Sequence, residues 1–178
     1  MMFRFATTLL FLFLLCIVEA GFFSALPHPW RFTPLVFASA VYVIQHMGSR
    51  AGVSWLVGYG LFLDLWKLGV VPGETVLLLF VGFGTWILSR RIFTNRSLYG
   101  VVACALISWI SWHVVTMVGL MFINRKNAEI LLWSAYPDFL LWQGLLLIGL
   151  ITLFFFLSGR IRRTLRSIIM IPTIHETL

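Results

Sequence analysis

Six apolar runs, separated by short polar turns, are the feature that most limits what this chain can fold into. They cover about residues 5–26, 32–47, 51–66, 74–89, 98–123 and 138–157 of a chain of 178. A hydrocarbon core of about 30 Å is crossed by about 20 helical residues, each rising about 1.5 Å. We therefore predict an all-α, polytopic membrane protein. About six transmembrane helices form one bundle, residues 1–159, and a basic cytoplasmic tail follows, residues 160–178.

The composition supports one membrane domain with no separate soluble domain. Hydrophobic residues make up 61% of the chain and charged residues 11%, whereas soluble domains are roughly 25% charged. The net charge of +7 alone would fit a nucleic-acid-binding protein. The basic residues, however, lie between the apolar runs rather than along one stripe, which indicates membrane topology. We expect contact with membrane lipids and none with nucleic acid.

Two of the apolar runs leave an alternative open. The second, residues 32–47, is short enough to cross only half of a membrane. The first contains Val18-Glu19-Ala20, which resembles the cleavage site of a signal peptide. Because the apolar run continues past Ala20 to Leu26, we favour a retained first helix.

The distribution of lysine and arginine predicts the orientation in the membrane. With six spans, nine basic residues lie on one side and four on the other, and cytoplasmic loops carry the excess. Both termini are therefore expected in the cytoplasm. The larger group consists of Arg4, Arg50, Arg90, Arg91, Arg96, Arg160, Arg162, Arg163 and Arg166. We expect these arginines to set the topology and bind anionic headgroups, with docking of an acidic cytoplasmic partner as the alternative.

The third run carries a single carboxylate, Asp64, close to its end. A charge inside a membrane helix is costly, so it normally faces protein or a water-filled cavity and marks a functional site. The alternative is a helix-end aspartate that reaches water at the headgroups. Between these two readings the sequence alone does not decide.

Helix rise places four polar side chains at a similar depth in the outer half of the bundle: Glu19, Asp64, His113 and Gln143. Buried charges and polar groups need partners. We therefore predict that Asp64 faces the interior, with one of the other three or a loop backbone amide as its partner. His113 is expected to be a buried, hydrogen-bonded histidine rather than a ligand.

Small residues on the third and fifth helices are typical of faces where helices pack closely. On the third helix Ser54 and Gly58 lie four residues apart, and Gly60 is nearby. On the fifth helix the corresponding residues are Gly100, Cys104 and Ser108. We expect all six to serve helix packing.

The residues offer little for catalysis. Intramembrane aspartyl proteolysis needs two paired carboxylates, but Asp64 is not preceded by glycine and Asp138 is explained as a helix N-cap. Ser108 is not spaced to stack on His113 as a nucleophile on its base. His46 and His113 are predicted at opposite depths, which makes them a poor pair of haem ligands.

Cofactor and metal motifs are also missing from the sequence. The two cysteines, Cys16 and Cys104, lie in separate apolar runs without CxxC spacing, and no phosphate-binding or zinc motif is present. We expect no enzyme activity, no cofactor and no metal.

Several features occur in an order that resembles the MreD family, small integral membrane proteins of the bacterial rod-shape system. They are Pro34 at the second helix, Gly58, Gly60 and Asp64 in the third, Pro72-Gly73 before the fourth, and the basic turn at residues 90–96. The resemblance covers about residues 31–123. The tryptophan-rich fifth helix with His113 and the long basic tail depart from the family's pattern.

The resemblance implies a non-catalytic adaptor in the bacterial cytoplasmic (inner) membrane. Its expected partners are MreC-like proteins, MreB-like proteins and the RodA–transpeptidase pair of peptidoglycan elongation. A second resemblance is to the substrate-binding membrane subunits of energy-coupling-factor vitamin transporters, which also have six helices and a basic cytoplasmic side. That alternative implies a small-molecule ligand, for which Glu19, Asp64, His113 and Gln143 are the candidate contacts.

Overall fold

The computed structural model describes residues 2–47, 51–66, 73–94, 97–123 and 136–169, and this part of the chain is helical with no strand. Side chains are described within residues 6–46, 51–66, 73–94, 97–119 and 136–160. The α-helices are α1 (Met2–Ile17), α2 (Leu35–Met47), α3 (Ala51–Trp66), α4 (Glu74–Arg91), α5 (Leu98–Ile123) and α6 (Tyr136–Ile169).

Within the described residues, three helical segments are long and apolar enough to cross a membrane, judged by length and composition. They are Ala6–Ala25, Leu98–Gly119 and Tyr136–Arg160, while α2 and α3 are shorter apolar helices. Large apolar side chains stay exposed on the outside of the bundle, for example Phe80 at 71% and Leu61 at 52%. Such exposure suits a surface that faces lipid rather than water.

The helix bounds agree closely with the apolar runs at α3 and α5 and differ elsewhere. Helix α2 begins at Leu35 instead of residue 32, because Pro34 precedes it and Trp30–Phe32 form a separate 3₁₀ turn. Helix α6 begins at Tyr136 and continues to Ile169, so residues 160–169 of the expected tail are helical. Arginine is a good helix former and suits a helix C-terminus, so the charges do not end the helix. Residues 170–178 lie outside the described part.

The end of α1 is irregular. The α-helix gives way to a π-helical turn at Val18–Phe22 and then a 3₁₀ turn at Phe23–Ala25. A π-turn rotates the side chains it carries relative to a regular α-helix, and such turns are frequent at functional sites. The residue carried on this turn is Glu19.

Helix α2 is the centre of the bundle. It contacts each of the other five helices, and its side chains Phe37, Val41 and Ile44 are fully buried. Its 13 residues span about 20 Å, which is shorter than a membrane core of about 30 Å. Because neighbouring helices surround it, α2 belongs to the core of the bundle.

Glycines on α3 let the neighbouring helices come close. A Cβ atom added at Gly52 would lie 2.9 Å from the backbone oxygen of Ala40 in α2. A Cβ atom at Gly60 would lie 2.6 Å from the Cα atom of Thr75 in α4. Helix α3 therefore packs against α2 at one end and against the first turn of α4 at the other.

Candidate functional site

Glu19 joins three helices. From the π-turn that ends α1, its carboxylate accepts a hydrogen bond from the Tyr59 hydroxyl on α3 and, at 2.6 Å, one from the Val36 amide at the start of α2. The Val36 bond caps one of the free amides that every helix N-terminus presents. Among the described residues, no lysine or arginine forms an ion pair with this carboxylate.

Asp64 caps the start of α4. The N-cap residue of that helix, Gly73, has a φ of +121° that favours glycine, and glycine has no side chain with which to cap. One Asp64 oxygen accepts from the amides of Gly73 (3.2 Å) and Glu74 (2.9 Å). The other accepts from the Thr75 amide (3.0 Å) and hydroxyl (2.5 Å).

These contacts separate Asp64 from the cluster in which we placed it. Its hydrogen-bond partners among the described residues lie at the start of α4, and none is Glu19, His113 or Gln143. Of the partners we predicted, only the backbone-amide option matches the structure. The reason is geometric: Asp64 lies four residues after Gly60 on the same face of α3, and that face meets α4.

Glu74 is the buried carboxylate that the sequence analysis missed. Its side chain is only 4% exposed, and it accepts a hydrogen bond of 3.0 Å from the indole nitrogen of Trp112 on α5. A glutamate in a first helical turn is fully explained by the helix dipole, so nothing marked it as buried. One signal in the sequence was available: Glu74 follows the same loop that Asp64 precedes, so the two carboxylates are expected at a similar depth in the bundle.

His113 and Gln143 form the second part of the site. Both are 8% exposed, and the His113 Nε2 atom lies 2.8 Å from the Gln143 side-chain oxygen. That oxygen also accepts from the Trp109 indole at 3.1 Å, and His113 Nδ1 lies 3.0 Å from the Tyr136 hydroxyl. The structure therefore brings together two of the four residues predicted at this depth, and it joins α5 to α6 through them.

Aromatic contacts connect these groups into one polar network. Trp112 stacks on His113 with ring centres 5.0 Å apart, and it meets Tyr59 edge-on at 6.2 Å. We define the polar network as Glu19, Tyr59, Glu74, Trp109, Trp112, His113, Tyr136 and Gln143. Through these side chains and the Val36 amide, the polar network touches all six helices.

A cavity of about 160 Å³ opens beside the polar network. Glu19 and Gln143 both line it, so these two predicted residues share one site, together with Arg31. Its remaining walls are mainly aromatic and come from α3, α6 and the segment before α2; they include Phe32, Tyr59, Phe62, Trp66 and Phe139.

The small residues pack this chain's own helices. A Cβ atom at Gly58 would lie 2.5 Å from the Leu12 side chain of α1. Cys104 and Ser108 are buried on α5, and the Ser108 hydroxyl oxygen accepts a 2.7 Å hydrogen bond from Thr85 of α4.

Two of the predicted packing residues lie elsewhere. Ser54 is exposed, with its hydroxyl bonded to the Ala51 carbonyl at 2.7 Å. Gly100 is partly exposed and donates its amide to the Ser97 hydroxyl at the start of α5.

Two further expectations concern charged residues at the two ends of the bundle. Asp138 is not an N-cap, because α6 begins at Tyr136; the carboxylate lies in the first turn, 3.0 Å from His28 Nε2.

At the opposite end, the Arg90 guanidinium lies 4.8 Å from the Trp86 ring centre. Of the other predicted basic residues, Arg91 and Arg160 are exposed. Arg50 and Arg96 lie outside the described residues, and so do the side chains of Arg4, Arg162, Arg163 and Arg166.

Comparison with protein families, with curated proteins and with solved structures finds no match to this chain.

Proposed function

We propose that this chain is a non-catalytic membrane adaptor of the bacterial cell-shape and peptidoglycan-elongation machinery, similar to MreD. The observation that carries the proposal is the polar network, whose hydrogen bonds reach all six helices. Buried polar side chains that bond one another hold helices in one arrangement. An adaptor needs such a fixed arrangement, because a partner recognises the shape of its surface.

The outer surface offers a place for a partner helix between α1 and α3. An apolar groove of about 740 Å³ runs there, lined on α3 by residues that include Ser54, Gly58 and Leu61 and on α1 by Leu9 and Phe13. Ser54 is small and exposed, and small residues let a partner helix approach closely in a membrane. The proposed occupant is a transmembrane helix of an MreC-like protein or of the RodA–transpeptidase pair, while the arginines at the other end face an MreB-like protein.

The proposed topology is six spans in the bacterial cytoplasmic membrane with both termini in the cytoplasm. Three spans follow from helix length and composition, and the others from the basic asymmetry of the loops. Single cysteines at His28 and at Thr94, in a chain whose Cys16 and Cys104 are alanine, test it. An impermeant thiol reagent added to intact cells should label position 28 and spare position 94; labelling of both positions from outside would refute six spans.

The adaptor role is tested by filling the groove. Leu61→Trp places a large ring in the groove, whereas Phe80→Trp makes a comparable change at a lipid-facing site of α4 outside it. We expect Leu61→Trp to lose co-purification with the MreC-like partner and to give rounded cells, and Phe80→Trp to keep both. Equal behaviour of the two variants, with both inserted in the membrane, would refute the groove as the partner site.

A second candidate function is a ligand-binding membrane subunit, and the cavity beside the polar network is the observation that favours it. Ligand pockets combine apolar and aromatic walls with a few convergent polar groups, which describes this cavity. The two functions are separable: an adaptor loses its activity when the groove is filled, whereas a binding subunit loses it when the cavity is altered.

A further inference from the structure

The cavity beside the polar network is lined by two opposite charges that do not meet. The Glu19 carboxylate and the Arg31 guanidinium both line it. Neither forms an ion pair with the other or with another described residue, so the charged atoms of Glu19 and Arg31 lie more than 4.0 Å apart. Glu19 lies within the apolar first segment, where an unpaired carboxylate is costly, whereas Arg31 is exposed. A dipolar molecule placed between the two groups would give both a partner of opposite charge.

Each of the two charged groups has capacity left for a ligand. A carboxylate offers about four acceptor positions, and the Tyr59 hydroxyl and the amides of Val36 and Leu35 leave one of them on Glu19 for a ligand. Arg31 is exposed at the mouth of the cavity, with its guanidinium 4.7 Å from the Phe32 ring centre. A guanidinium carries five donors in a fixed fork that suits phosphate or carboxylate.

The walls and the size limit the ligand further. Tyr59, Phe62, Trp66 and Phe139 line the cavity, and aromatic faces attract ammonium groups. The volume of about 160 Å³ compares with about 150 Å³ for a cavity that holds benzene, so about six to ten heavy atoms fit. Gln143 adds a neutral amide to the lining.

We propose that this cavity binds a small zwitterionic group, with its ammonium beside Glu19 and its phosphate or carboxylate beside Arg31. Phosphoethanolamine, with about eight heavy atoms, has the required size and charges. It is available from two sources: as the headgroup of phosphatidylethanolamine in the surrounding bilayer, or as a free soluble zwitterion. The site needs no partner protein, so the inference is independent of the adaptor role and is tested with the purified chain.

The test measures binding to the full-length chain purified in detergent. Three probes are used: short-chain phosphatidylethanolamine, short-chain phosphatidylglycerol, which lacks the ammonium, and free phosphoethanolamine. Three variants accompany the wild type: Arg31→Gln, Glu19→Gln, and Arg160→Gln as a control that removes an exposed arginine at the other end of the bundle. Removing one charged partner of a hydrogen bond is expected to weaken binding about tenfold or more.

We expect phosphatidylethanolamine to bind at least tenfold more tightly than phosphatidylglycerol, and Glu19→Gln to abolish that preference. Arg31→Gln should weaken the binding of both lipids about tenfold or more, because both carry the phosphate. Arg160→Gln should bind as the wild type does. Binding of the lipid alone identifies the headgroup as the ligand, and binding of free phosphoethanolamine identifies a soluble zwitterion.

Three results would overturn the proposal: equal binding of the two lipids together with no binding of free phosphoethanolamine, no binding of any probe, or unchanged binding by Arg31→Gln. Glu19 also caps α2, so Glu19→Gln is open to a folding defect. Arg31 caps no helix in the described structure, so Arg31→Gln tests the site without that complication.

Discussion

Replacing Gly60 by alanine should push the first turn of α4 away from α3 and destabilise the bundle. The new Cβ atom would lie 2.6 Å from the Thr75 Cα atom and 2.9 Å from the Glu74 carbonyl oxygen. Both contacts are with backbone, which cannot rotate away as a side chain does. Ordinary contact between carbon atoms begins near 3.5 Å, so the first turn of α4 must move by roughly 1 Å.

That movement has a second cost through Asp64. The Asp64 carboxylate bonds the Glu74 and Thr75 amides at 2.9 and 3.0 Å, and a shift of about 1 Å takes both beyond hydrogen-bond distance. Overpacking costs about 1–3 kcal/mol and loss of a cap about 0.5–2 kcal/mol, against a gain of about 0.5–1 kcal/mol for alanine in a helix. We expect a net loss of about 2 kcal/mol in the free energy of unfolding.

The two buried thiols provide the assay. Cys16 is 2% exposed and Cys104 fully buried, so a thiol-reactive fluorophore reports unfolding of the detergent-solubilised chain as it is heated. At about 2–4 °C per kcal/mol, Gly60→Ala should lower the midpoint by about 4–8 °C.

Gly84→Ala is the matched control, because a Cβ atom there meets nothing within 4 Å and the helix gains propensity. It should raise the midpoint slightly. A Gly60→Ala midpoint equal to or above that of the wild type would refute the reasoning. So would strict additivity of Gly60→Ala with Asp64→Ala, since the two changes disturb the same cap.

Two further substitutions test the caps and the polar network. Asp64→Ala should lower the melting midpoint by about 2–6 °C, because the α4 cap is lost. The control Asp138→Ala loses one exposed contact and should change the midpoint by less than about 2 °C. Equal shifts for the two variants would contradict the assigned cap. Trp112→Phe removes an indole donor from the buried Glu74 carboxylate and should lower the free energy of unfolding by about 1–3 kcal/mol, measured by the same melt. Trp66 is exposed, so Trp66→Phe serves as the control and should leave the midpoint nearly unchanged.

The positions of the helices were largely predictable from the sequence, because the apolar runs mark them directly. The bounds of α3 and α5 agree with the runs, since polar or small residues end both of them. The largest error in the helix bounds arose where a cluster of arginines was taken to mark the end of a helix. Helix α6 continues past Arg160 to Ile169, because arginine ends an apolar run without ending a helix.

The partners of the buried polar residues were predictable only in part. Helix rise fixes depth along each helix, and it placed His113 and Gln143 at one level, where they bond. Depth says nothing about which way a helix faces. Asp64 therefore binds the start of α4 instead of the predicted cluster, and the buried carboxylate that bonds Trp112 is Glu74.

The irregular end of α1 was not predictable from an apolar run. Residues 5–26 read as one helix, but the chain adopts a π-turn and a 3₁₀ turn after Ile17. Local composition does not report such a change, and the π-turn carries a tertiary contact that an apolar run does not reveal. The contact is the Glu19 carboxylate, which reaches Tyr59 and the start of α2.

The carboxylate caps have a consequence for how the protein is made. Glu19 precedes the amide it caps by 17 residues, and Asp64 precedes the Thr75 amide by 11. During synthesis each helical hairpin, α1–α2 and α3–α4, can therefore close its own cap as soon as it leaves the insertion machinery. The bond from Trp112 to Glu74 spans 38 residues and waits for α5. We expect the chain to enter the membrane as hairpins that are already capped, and the bonds to α5 and α6 to form afterwards.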